Sequence, residues 1–354
     1  MPKTKRAAEP PYFAHVVPGM EDLAAAELVL LGATVRETLA GFDKRDSIVL
    51  FTAPDPAPLV RATLVEDVFA LMLDAPTPGG PRAPKALAAT IDRATLERAM
   101  LAHHAVRPKS GGRSFRAVAR VAGKQMFLRE DAETAFARAI GKLLPRWLEA
   151  KGHVSLEVWV QVAGVRTLAG LRISGDELAQ RKYKRAHLPA SLKPTVARAL
   201  VALSEPRRDD VFLDPMCGAG TILRERADAG RAALVLGGDV EAGAVDATVT
   251  NARRSARVLR WDAAHLPLVD RSVDVIVCNP PYGRQHEAIR GLDRLYARTT
   301  REMARVLRPD GRCVLLTGEP ALLFRVLPPA FRVLTRRRML LRGLPVTAFV
   351  MVRA

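Results

Sequence analysis

Four consecutive residues, Asn279, Pro280, Pro281 and Tyr282, directly follow the apolar run "VDVIVC". Proline fixes φ and restricts the residue before it, so the loop is rigid. The Asn279 side-chain oxygen and the Pro280 carbonyl then become two fixed acceptors for the hydrogens of a planar amino group, and Tyr282 offers a ring for stacking. This pattern favours attack by an amino nitrogen on an electrophilic methyl group, with catalysis by orientation and electrostatics, and it requires no metal. An ordinary Pro-Pro turn is the alternative.

A glycine-rich turn in "VFLDPMCGAGTIL" predicts a cofactor site. Asp214 ends a strand, Gly218 and Gly220 allow a tight turn, and a helix begins near Thr221 with its free N–H groups facing a ligand. No Gly-Lys-Ser/Thr follows, and the spacing is not that of the full dinucleotide fingerprint. The turn therefore indicates a cofactor with a nucleoside but no pyrophosphate. A purely structural turn is the alternative.

Two more acidic residues follow the next two predicted strands. Asp239 comes after "VLGG" at about the interval at which an acid binds ribose hydroxyls. Asp262 can accept from an adenine amino group while the Ala263 N–H faces a ring nitrogen. Each acid alone can be a solvated helix cap, but three in order on successive strands favour a nucleoside site. Ligands of open α/β sheets lie outside the carboxyl ends of the strands, where the Asn-Pro-Pro-Tyr loop also lies.

The elements that position these residues begin near Asp176, where seven short apolar strands alternate with helical segments. This alternation is typical of a parallel sheet covered on both faces. Only "RMLLRGLP" separates the last two strands, so they are predicted to be antiparallel. The predicted fold is α/β, a doubly wound, Rossmann-like and mostly parallel seven-stranded sheet with a reversed edge strand.

The chain of 354 residues is too long for one ordinary core. Its front half predicts two α+β sets, separated by a Pro/Gly-rich linker or long loop from Asp74 to Pro84. Helices are predicted near Lys85 to Leu101 and from about Asp131 to Ala150. The predicted domains are residues 1–75, 76–175 and 176–354.

The charge balance favours a polyanionic partner. The chain has 55 Lys plus Arg against 37 Asp plus Glu and a formal charge of +18. Nucleic acid is the first interpretation, and a membrane surface and a compositional bias of the source genome are the alternatives. Candidate phosphate contacts lie on the strand "SFRAVARVA" and in a cationic run near residue 181. They are Arg116, Arg120, Arg181, Lys182, Lys184 and Arg185. A solvated sheet face and a solvated linker are the alternatives.

The three cysteines, Cys217, Cys278 and Cys313, are far apart and form no Cys-x-x-Cys pair. Neither a disulfide framework nor a zinc site is indicated. The first residues lack the apolar segment of a signal peptide, and no run of 18 apolar residues occurs. The sequence therefore predicts a cytoplasmic protein that does not act at a membrane.

The rear half resembles the class I S-adenosylmethionine (SAM)-dependent methyltransferases, in the amino-methylating branch marked by Asn-Pro-Pro-Tyr. The segments "RKYKRAHLPASLKPTVARAL", "LDPMCGAGTIL", "GGDVEAGAV" and "CNPPYG" resemble THUMP-domain RNA methyltransferases that form N2-methylguanosine in tRNA. "VVPGMEDLAAAEL" is similar to the ferredoxin-like start of those enzymes. "SFRAVARVAGKQMF" through "VSLEVWVQVAG" is similar to the THUMP module.

The resemblance implies that SAM is bound by the glycine-rich turn, the two acids and the loop before the first helix. The implied residues are Ser191, Leu192, Thr195, Asp214, Cys217, Gly218, Gly220, Thr221, Asp239, Asp262, Ala263 and Asn279. It also implies that a flipped guanine enters at Asn279 to Tyr282, and that the front module binds the CCA end and presents the acceptor stem. A monomer is expected. In "TILRERA" the sequence departs from the family, and Arg224 is expected to point outward.

Other activities remain open at this stage. Ribosomal RNA is the nearest alternative substrate, because related enzymes with very similar motifs act on it. DNA adenine and protein glutamine are also methylated by enzymes with Asn-Pro-Pro-Tyr, although the THUMP-like front half argues against both. A non-catalytic RNA-binding protein is the remaining alternative, and the intact motifs argue against it.

Overall fold

The computed structural model describes residues 9–43, 45–107, 112–189, 191–282 and 291–354. The chain divides into two compact units after Leu178. The predicted start of the third domain, residue 176, lies close to this division. The predicted catalytic loop, Asn279 to Tyr282, lies within the described residues, and residues 283–290, which follow it, lie outside them.

The front unit contains one sheet, which has eight strands in the described residues, and helices that pack on it. The strand order is β2-β3-β1-β4-β8-β7-β5-β6. Neighbouring strands are antiparallel except that β5 pairs in parallel with β6 and β7. The elements are β1 (Pro11–Val16), α1 (Glu21–Leu30), β2 (Thr34–Leu39), β3 (Ser47–Thr52), β4 (Asp67–Pro76), α2 (Ala83–Ala88), α3 (Arg93–Val106), β5 (Ser114–Ala122), α4 (Arg129–Leu143), β6 (Leu148–Glu149), β7 (Leu156–Ala163) and β8 (Arg166–Arg172).

Strand β4 connects the two predicted α+β sets. It pairs with β1 on one side and β8 on the other. Its last residues, Asp74 to Pro76, belong to the passage that was predicted as a linker or long loop. One sheet therefore crosses residue 75, and the division of the front half at that residue stays a prediction.

Two predicted helices of the front half have different limits in the structure. The helix predicted near Lys85 to Leu101 is two helices, α2 and α3, because Asp92 caps a new start by accepting from the Thr95 N–H at 2.8 Å. The helix predicted to reach Ala150 ends at Leu143, shortly before Pro145.

No helix in the described ranges is both long and apolar enough to span a membrane.

The rear unit is a sheet with helices on both faces, and its order is β11-β10-β9-β12-β13-β15-β14. Strands β9 to β13 are parallel, whereas β15 is antiparallel to both β13 and β14. The elements are α5 (Pro194–Leu203), β9 (Val211–Asp214), α6 (Thr221–Asp228), β10 (Leu234–Asp239), α7 (Ala242–Ala252), β11 (Arg257–Arg260), β12 (Val273–Cys278), α8 (Leu292–Val306), β13 (Leu307–Thr317), α9 (Pro320–Val326), β14 (Phe331–Leu341) and β15 (Leu344–Arg353).

The predicted doubly wound parallel sheet is confirmed, with one correction. The reversed strand was predicted at the edge, but β15 lies one place in from it, between β13 and β14. The tight connection between the last two strands fixes only their relative direction. Which of them pairs with β13 depends on long-range contacts, and the more buried strand β15 takes the inner place.

Two glycines in β10 let bulky side chains approach the sheet from opposite faces. A Cβ on Gly237 would lie 2.3 Å from Leu223 Cδ1, and one on Gly238 would lie 2.4 Å from Trp261 Cε2. Trp261 in turn donates its indole N–H to the Pro215 carbonyl at 3.0 Å. The glycine pair thereby fixes helix α6 and the segment after β11 close to the carboxyl ends of the strands.

Candidate active site

The glycine-rich turn between β9 and α6 forms an open cradle. Its backbone closes on itself through a hydrogen bond from the Gly220 N–H to the Cys217 carbonyl at 2.8 Å. Gly218 and Gly220 have φ values of 52° and 74°, in the left-handed region that favours glycine. A Cβ on Gly218 would meet no atom within 4 Å, whereas one on Gly220 would lie 2.7 Å from Thr248 Cγ2. The turn is therefore closed against α7 and open at Gly218.

The two acids predicted for a nucleoside lie at the ends of neighbouring strands. Asp239 accepts from the Gly218 N–H at 2.9 Å, so it is tied to the turn. Asp262 accepts from the Ala264 N–H at 2.8 Å, its side chain is half exposed, and Ala263 beside it is buried. A carboxylate has lone pairs beyond these bonds. Both acids can therefore still accept hydrogen bonds from a ligand.

Asp214 lies beneath the turn rather than in the open cradle. Its side chain is buried and accepts from the Met216 N–H at 3.3 Å. Burial raises the pKa of Asp214 to about 8, and the negative charge of Asp239 adds to the rise. The carboxyl is therefore mostly neutral at pH 7. In this structure it supports the turn from below.

This pKa predicts how the ligand-free protein responds to pH. A carboxyl with a folded pKa near 8 and an ordinary unfolded pKa near 4 binds more protons in the folded state, so its contribution to stability is complete below about pH 4 and is lost as the pH rises to about 8. We expect Asp214→Asn to remove this dependence and to melt several degrees above the wild type at pH 8.5. Thermal unfolding of both proteins between pH 5 and 9 checks this. If the melting temperatures of both proteins change with pH by the same amount, this expectation is contradicted.

The Asn-Pro-Pro-Tyr loop is held by side chains of α8 and β13. The Tyr296 hydroxyl donates to the Pro281 carbonyl at 3.0 Å and lies 2.9 Å from Thr317 Oγ1. The Tyr282 ring packs on Gly318, where an added Cβ would lie 2.7 Å from its Cδ2. Burial raises the pKa of Tyr282, so its phenol stays neutral at pH 7. The loop is therefore fixed at its second proline and at its ring.

Two side-chain atoms at the predicted site are buried and lack a hydrogen-bond partner among the described residues. They are Asn279 Oδ1 and Ser191 Oγ. A buried polar atom without a partner is costly, so its presence at a predicted site calls for a ligand. Asn279 Oδ1 suits an amino hydrogen, and Ser191 Oγ can donate or accept. With the open space at Gly218, these atoms fit a bound cofactor and a base.

The loop before α5 was predicted to border the methionine end of the cofactor. The Leu192 carbonyl accepts from Lys184 Nζ at 2.5 Å, and Thr195 is fully buried in the first turn of α5. Burial lowers the pKa of Lys184 to about 8, and the positive charge of Arg342 adds to this effect. The structure thus ties this loop to the cationic run that precedes it.

Two residues of α7 that no sequence pattern indicated, Thr248 and Asn251, connect the glycine-rich turn to its surroundings. The Thr248 hydroxyl donates to the Gly218 carbonyl at 2.7 Å. The Asn251 amide makes four hydrogen bonds. Its Oδ1 accepts from the Arg185 and Ala186 N–H groups at 2.8 and 2.9 Å, and its Nδ2 donates to the Ala186 and Ala219 carbonyls at 2.8 Å each. Asn251 therefore joins the glycine-rich turn to the cationic run.

The cationic run divides into inward and outward side chains. Arg181 is mostly buried, with Nε 3.5 Å from a carboxylate oxygen of the buried Glu225. Lys184 is committed to the Leu192 carbonyl, as described above. Lys182 and Arg185 have exposed side chains. Of the four predicted phosphate contacts here, these two are the best placed for a partner in solution.

In the front unit, Arg116 and Arg120 lie on one face of β5, as the alternation indicated. Arg116 forms an ion pair with Glu157 and Arg120 forms one with Asp46. The Arg120 guanidinium also lies over the Trp159 ring, 5.0 Å from its centroid. Both charges are therefore balanced within the unit, and their role in RNA binding stays a prediction.

Comparison with known proteins gives concordant results. Residues 181–336 match the family described as UPF0020, RMKL-like, methyltransferase domain. A tRNA (guanine(6)-N2)-methyltransferase of Thermus thermophilus is 35% identical over 241 residues, 67% of this chain and 71% of the relative. The U6 snRNA (guanine-N(2))-methyltransferase THUMPD2 of Bos taurus is 30% identical over 200 residues, 53% of this chain but only 38% of the relative. The crystal structure of TrmN from Thermus thermophilus has a TM-score of 0.77 at 29% identity and covers 97% of this chain and 99% of that one.

The doubly wound sheet, the matched methyltransferase domain and the similarity to the Thermus proteins identify a class I methyltransferase that uses SAM. Within that class, the chain belongs to the family that includes the tRNA (guanine(6)-N2)-methyltransferase of Thermus thermophilus.

Proposed function

We propose that this protein transfers a methyl group from SAM to the N2 amine of a guanosine in the acceptor stem of tRNA. The observation that carries the proposal is the buried Asn279 Oδ1, which has no partner among the described residues and lies on a loop fixed by two prolines. The Thermus relative, which methylates N2 of a guanine in tRNA by its name, supports the same reaction.

The residues of the chain account for the chemistry as follows. When bound, SAM supplies an electrophilic methyl group. Asn279 Oδ1 and the Pro280 carbonyl accept the two amino hydrogens of the guanine and orient its nitrogen, while the Tyr282 ring stacks on the base. Amino nitrogen becomes more positive as it attacks, so the two carbonyl oxygens bind more strongly in the transition state than in the ground state.

The cofactor is assigned to the cradle described above. The Gly218 region leaves room for it, and Asp239 and Asp262 accept hydrogen bonds from its ribose and adenine. Ser191, in the loop that is predicted to border the methionine end, supplies a polar group there. Cys217 is buried, and burial raises the pKa of its thiol. Cys217 therefore contributes backbone and shape to the cradle, not a thiolate.

The family supports an assignment of the RNA partners. We assign the CCA end of tRNA to the front unit and the acceptor stem to the substrate site. We further propose that the protein acts as a monomer in the cytoplasm, where it takes part in tRNA processing. Ribosomal RNA and U6 snRNA remain alternative substrates of the same reaction, the latter because of the bovine relative's name.

The deciding experiment incubates the purified protein with labelled SAM and, separately, unmodified tRNA, ribosomal RNA, U6 snRNA and DNA. Each is digested, and the labelled nucleoside is identified by mass spectrometry. We expect N2-methylguanosine from tRNA, at a position in the acceptor stem. Label in another RNA alone would move the target and keep the chemistry. Binding of RNA without binding of SAM would support a non-catalytic protein.

A charge-reversal experiment separates the two kinds of cation in the run near residue 181. We expect Lys182→Glu with Arg185→Glu to weaken tRNA binding and to reduce the slope of log Kd against log salt by roughly 2, because each lost phosphate contact removes about one counterion. The melting temperature should change little, since both side chains are exposed.

The matched control is Arg181→Ala, which removes the ion-pair partner of buried Glu225, leaves the hydrogen bond from the Tyr183 hydroxyl, and should lower the melting temperature. An unchanged salt slope in the Lys182 and Arg185 variant would show that the run is only a linker.

A further inference from the structure

The edge strand β14 and its following turn carry a row of exposed arginines. They are Arg332, Arg336, Arg338 and Arg342. Arg336 packs over the Phe324 ring at 4.1 Å, so it also covers apolar surface. None of the four forms an ion pair with a carboxylate in the described ranges. In the rear unit this leaves a strip of unbalanced positive charge along one sheet edge.

The strand register places Arg338 level with the catalytic loop. Arg338 pairs with Thr347 of β15, and Thr347 pairs with Thr317 of β13. Residues directly opposite each other on neighbouring strands point to the same face. Thr317 Oγ1 lies 2.9 Å from the Tyr296 hydroxyl, which holds Pro281. Arg338 therefore lies on the face of the Tyr296 contact, two strand spacings or about 10 Å from Thr317.

Arg342 lies at the same end of the sheet, in a conformation that arginine rarely adopts. Arg342 and Gly343 form the two-residue turn between paired Leu341 and Leu344, with φ values of 53° and 82°. Two positive φ values are the pattern of a type I′ turn, in which Asn, Asp or Gly is preferred at the first position. An arginine here is strained, and such strain more often persists at functional sites.

The positive charge of Arg342 also acts on the loop before α5, which is predicted to border the cofactor. It contributes to the lowered pKa of Lys184, whose Nζ binds the Leu192 carbonyl beside Ser191. Arg342 therefore adds positive potential at the rim that carries the predicted methionine end. Since β13 and β14 run in the same direction, the carboxyl ends of both strands lie at this rim.

We propose that Arg338 and Arg342 bind the backbone phosphates that flank the guanosine in the active site. The inference rests on the proposed function and deepens it by assigning a substrate contact. An enzyme that takes a base out of its stack has to hold the strand on either side of it, and arginine binds phosphate through a bidentate fork. The two arginines supply this at the edge of the sheet that carries the catalytic loop.

Protection of an exposed sheet edge is the competing explanation, because charged side chains on an edge strand discourage pairing with another chain. It accounts for charge along β14. It does not account for an arginine in the left-handed turn beyond the strand, where asparagine would be less strained.

The test uses the full chain and the double variant Arg338→Thr with Arg342→Asn. Threonine suits a strand and asparagine suits the turn, so both changes should preserve or raise the melting temperature. The control is Arg208→Gln with Arg257→Thr, which removes two exposed charges before β9 and at the start of β11, at the amino end of the same sheet. Binding of tRNA is measured between 50 and 300 mM salt without SAM, followed by KM and kcat.

We expect the Arg338 and Arg342 variant to lose roughly 2 from the salt slope, to bind tRNA on the order of tenfold more weakly, and to keep its affinity for SAM. The control should retain wild-type values within about twofold. Equal effects in both variants, or none, would overturn the proposal. So would unchanged affinity together with self-association in size-exclusion chromatography, which would identify the arginines as edge protection. RNA binding is measured without methyl transfer. A wild type that binds tRNA but transfers no methyl group would therefore count against the proposed function, while the comparison of tRNA binding between the variants would still test the role of the two arginines.

Discussion

Replacing Asn279 with alanine should slow methyl transfer by two to three orders of magnitude, that is about 10²- to 10³-fold, while leaving the fold and tRNA binding nearly unchanged. Removing one fixed hydrogen-bonding group from the transition state commonly costs about 10²- to 10³-fold in kcat. Asn279 Oδ1 is buried without a partner among the described residues, so its removal deprives no described protein group of a hydrogen bond. The melting temperature should therefore stay the same or rise, which is unusual for a buried polar residue.

The measurement is single-turnover methyl transfer with saturating tRNA, alongside tRNA affinity and thermal unfolding. Tyr282 provides matched controls. Tyr282→Phe keeps the ring that packs on Gly318 and should retain most activity, because the phenol is neutral and is not needed as a base. Tyr282→Ala should lose activity with the stacking surface. Loss of tRNA binding in the Asn279 variant would show that the residue supports the RNA surface instead of accepting from the amine.

The sequence was sufficient to predict the positions of the residues that follow strands. Asp239 ends β10, whereas Asp262 and Asn279 follow β11 and β12 within two residues, and the carboxyl ends of parallel strands meet at one edge. Local pattern and topology therefore place them without any knowledge of side-chain packing. Asp214 likewise ends a strand, as the sequence predicted. The burial of its carboxyl group depends on neighbouring residues that the sequence pattern does not reveal.

Residues that act through long-range contacts could not be predicted in this way. Thr248 and Asn251 are polar positions on a helix, where nothing local distinguishes them from solvated residues. Arg226 is a further example. It is 1% exposed on α6 and donates to the carbonyls of Arg207, Gly230 and Arg231 at 2.6 to 3.2 Å. The expectation that Arg224 points outward was confirmed, since it pairs with Asp228 at 2.9 Å and remains partly exposed.

The sequence predicted least well which charged side chains are available to a partner in solution. Composition indicated a polyanionic partner, and the run near residue 181 was an obvious candidate surface. In the structure, Arg181 and Lys184 contact internal partners. Arg338 and Arg342, which no sequence pattern indicated, are exposed. A cation's availability depends on the carboxylates and carbonyls that the fold brings to it, and those come from distant parts of the chain.

Asn251→Ala should weaken SAM binding and the fold together. Its amide binds two N–H groups and two carbonyls, so truncation leaves up to four polar groups in a largely buried place without their partner. Each buried unsatisfied group costs about 1 to 3 kcal/mol, and partial relaxation suggests a total loss of about 2 to 4 kcal/mol. Because one of these groups is the Ala219 carbonyl in the glycine-rich turn, we expect SAM affinity to fall on the order of tenfold at temperatures well below unfolding.

Isothermal titration with SAM at 15 °C, combined with thermal unfolding, separates the two effects. Val249→Ala is the control, since Val249 lies on the same helix but is 52% exposed, and it should change neither quantity. Asn251→Asp keeps the two accepted hydrogen bonds but sets a carboxylate against the Ala186 and Ala219 carbonyls, so it should not rescue SAM binding. If Asn251→Ala lowers the melting temperature and leaves SAM affinity intact, Asn251 stabilises α7 without positioning the turn. If Asn251→Asp restores affinity, the accepted bonds to the cationic run are the ones that matter.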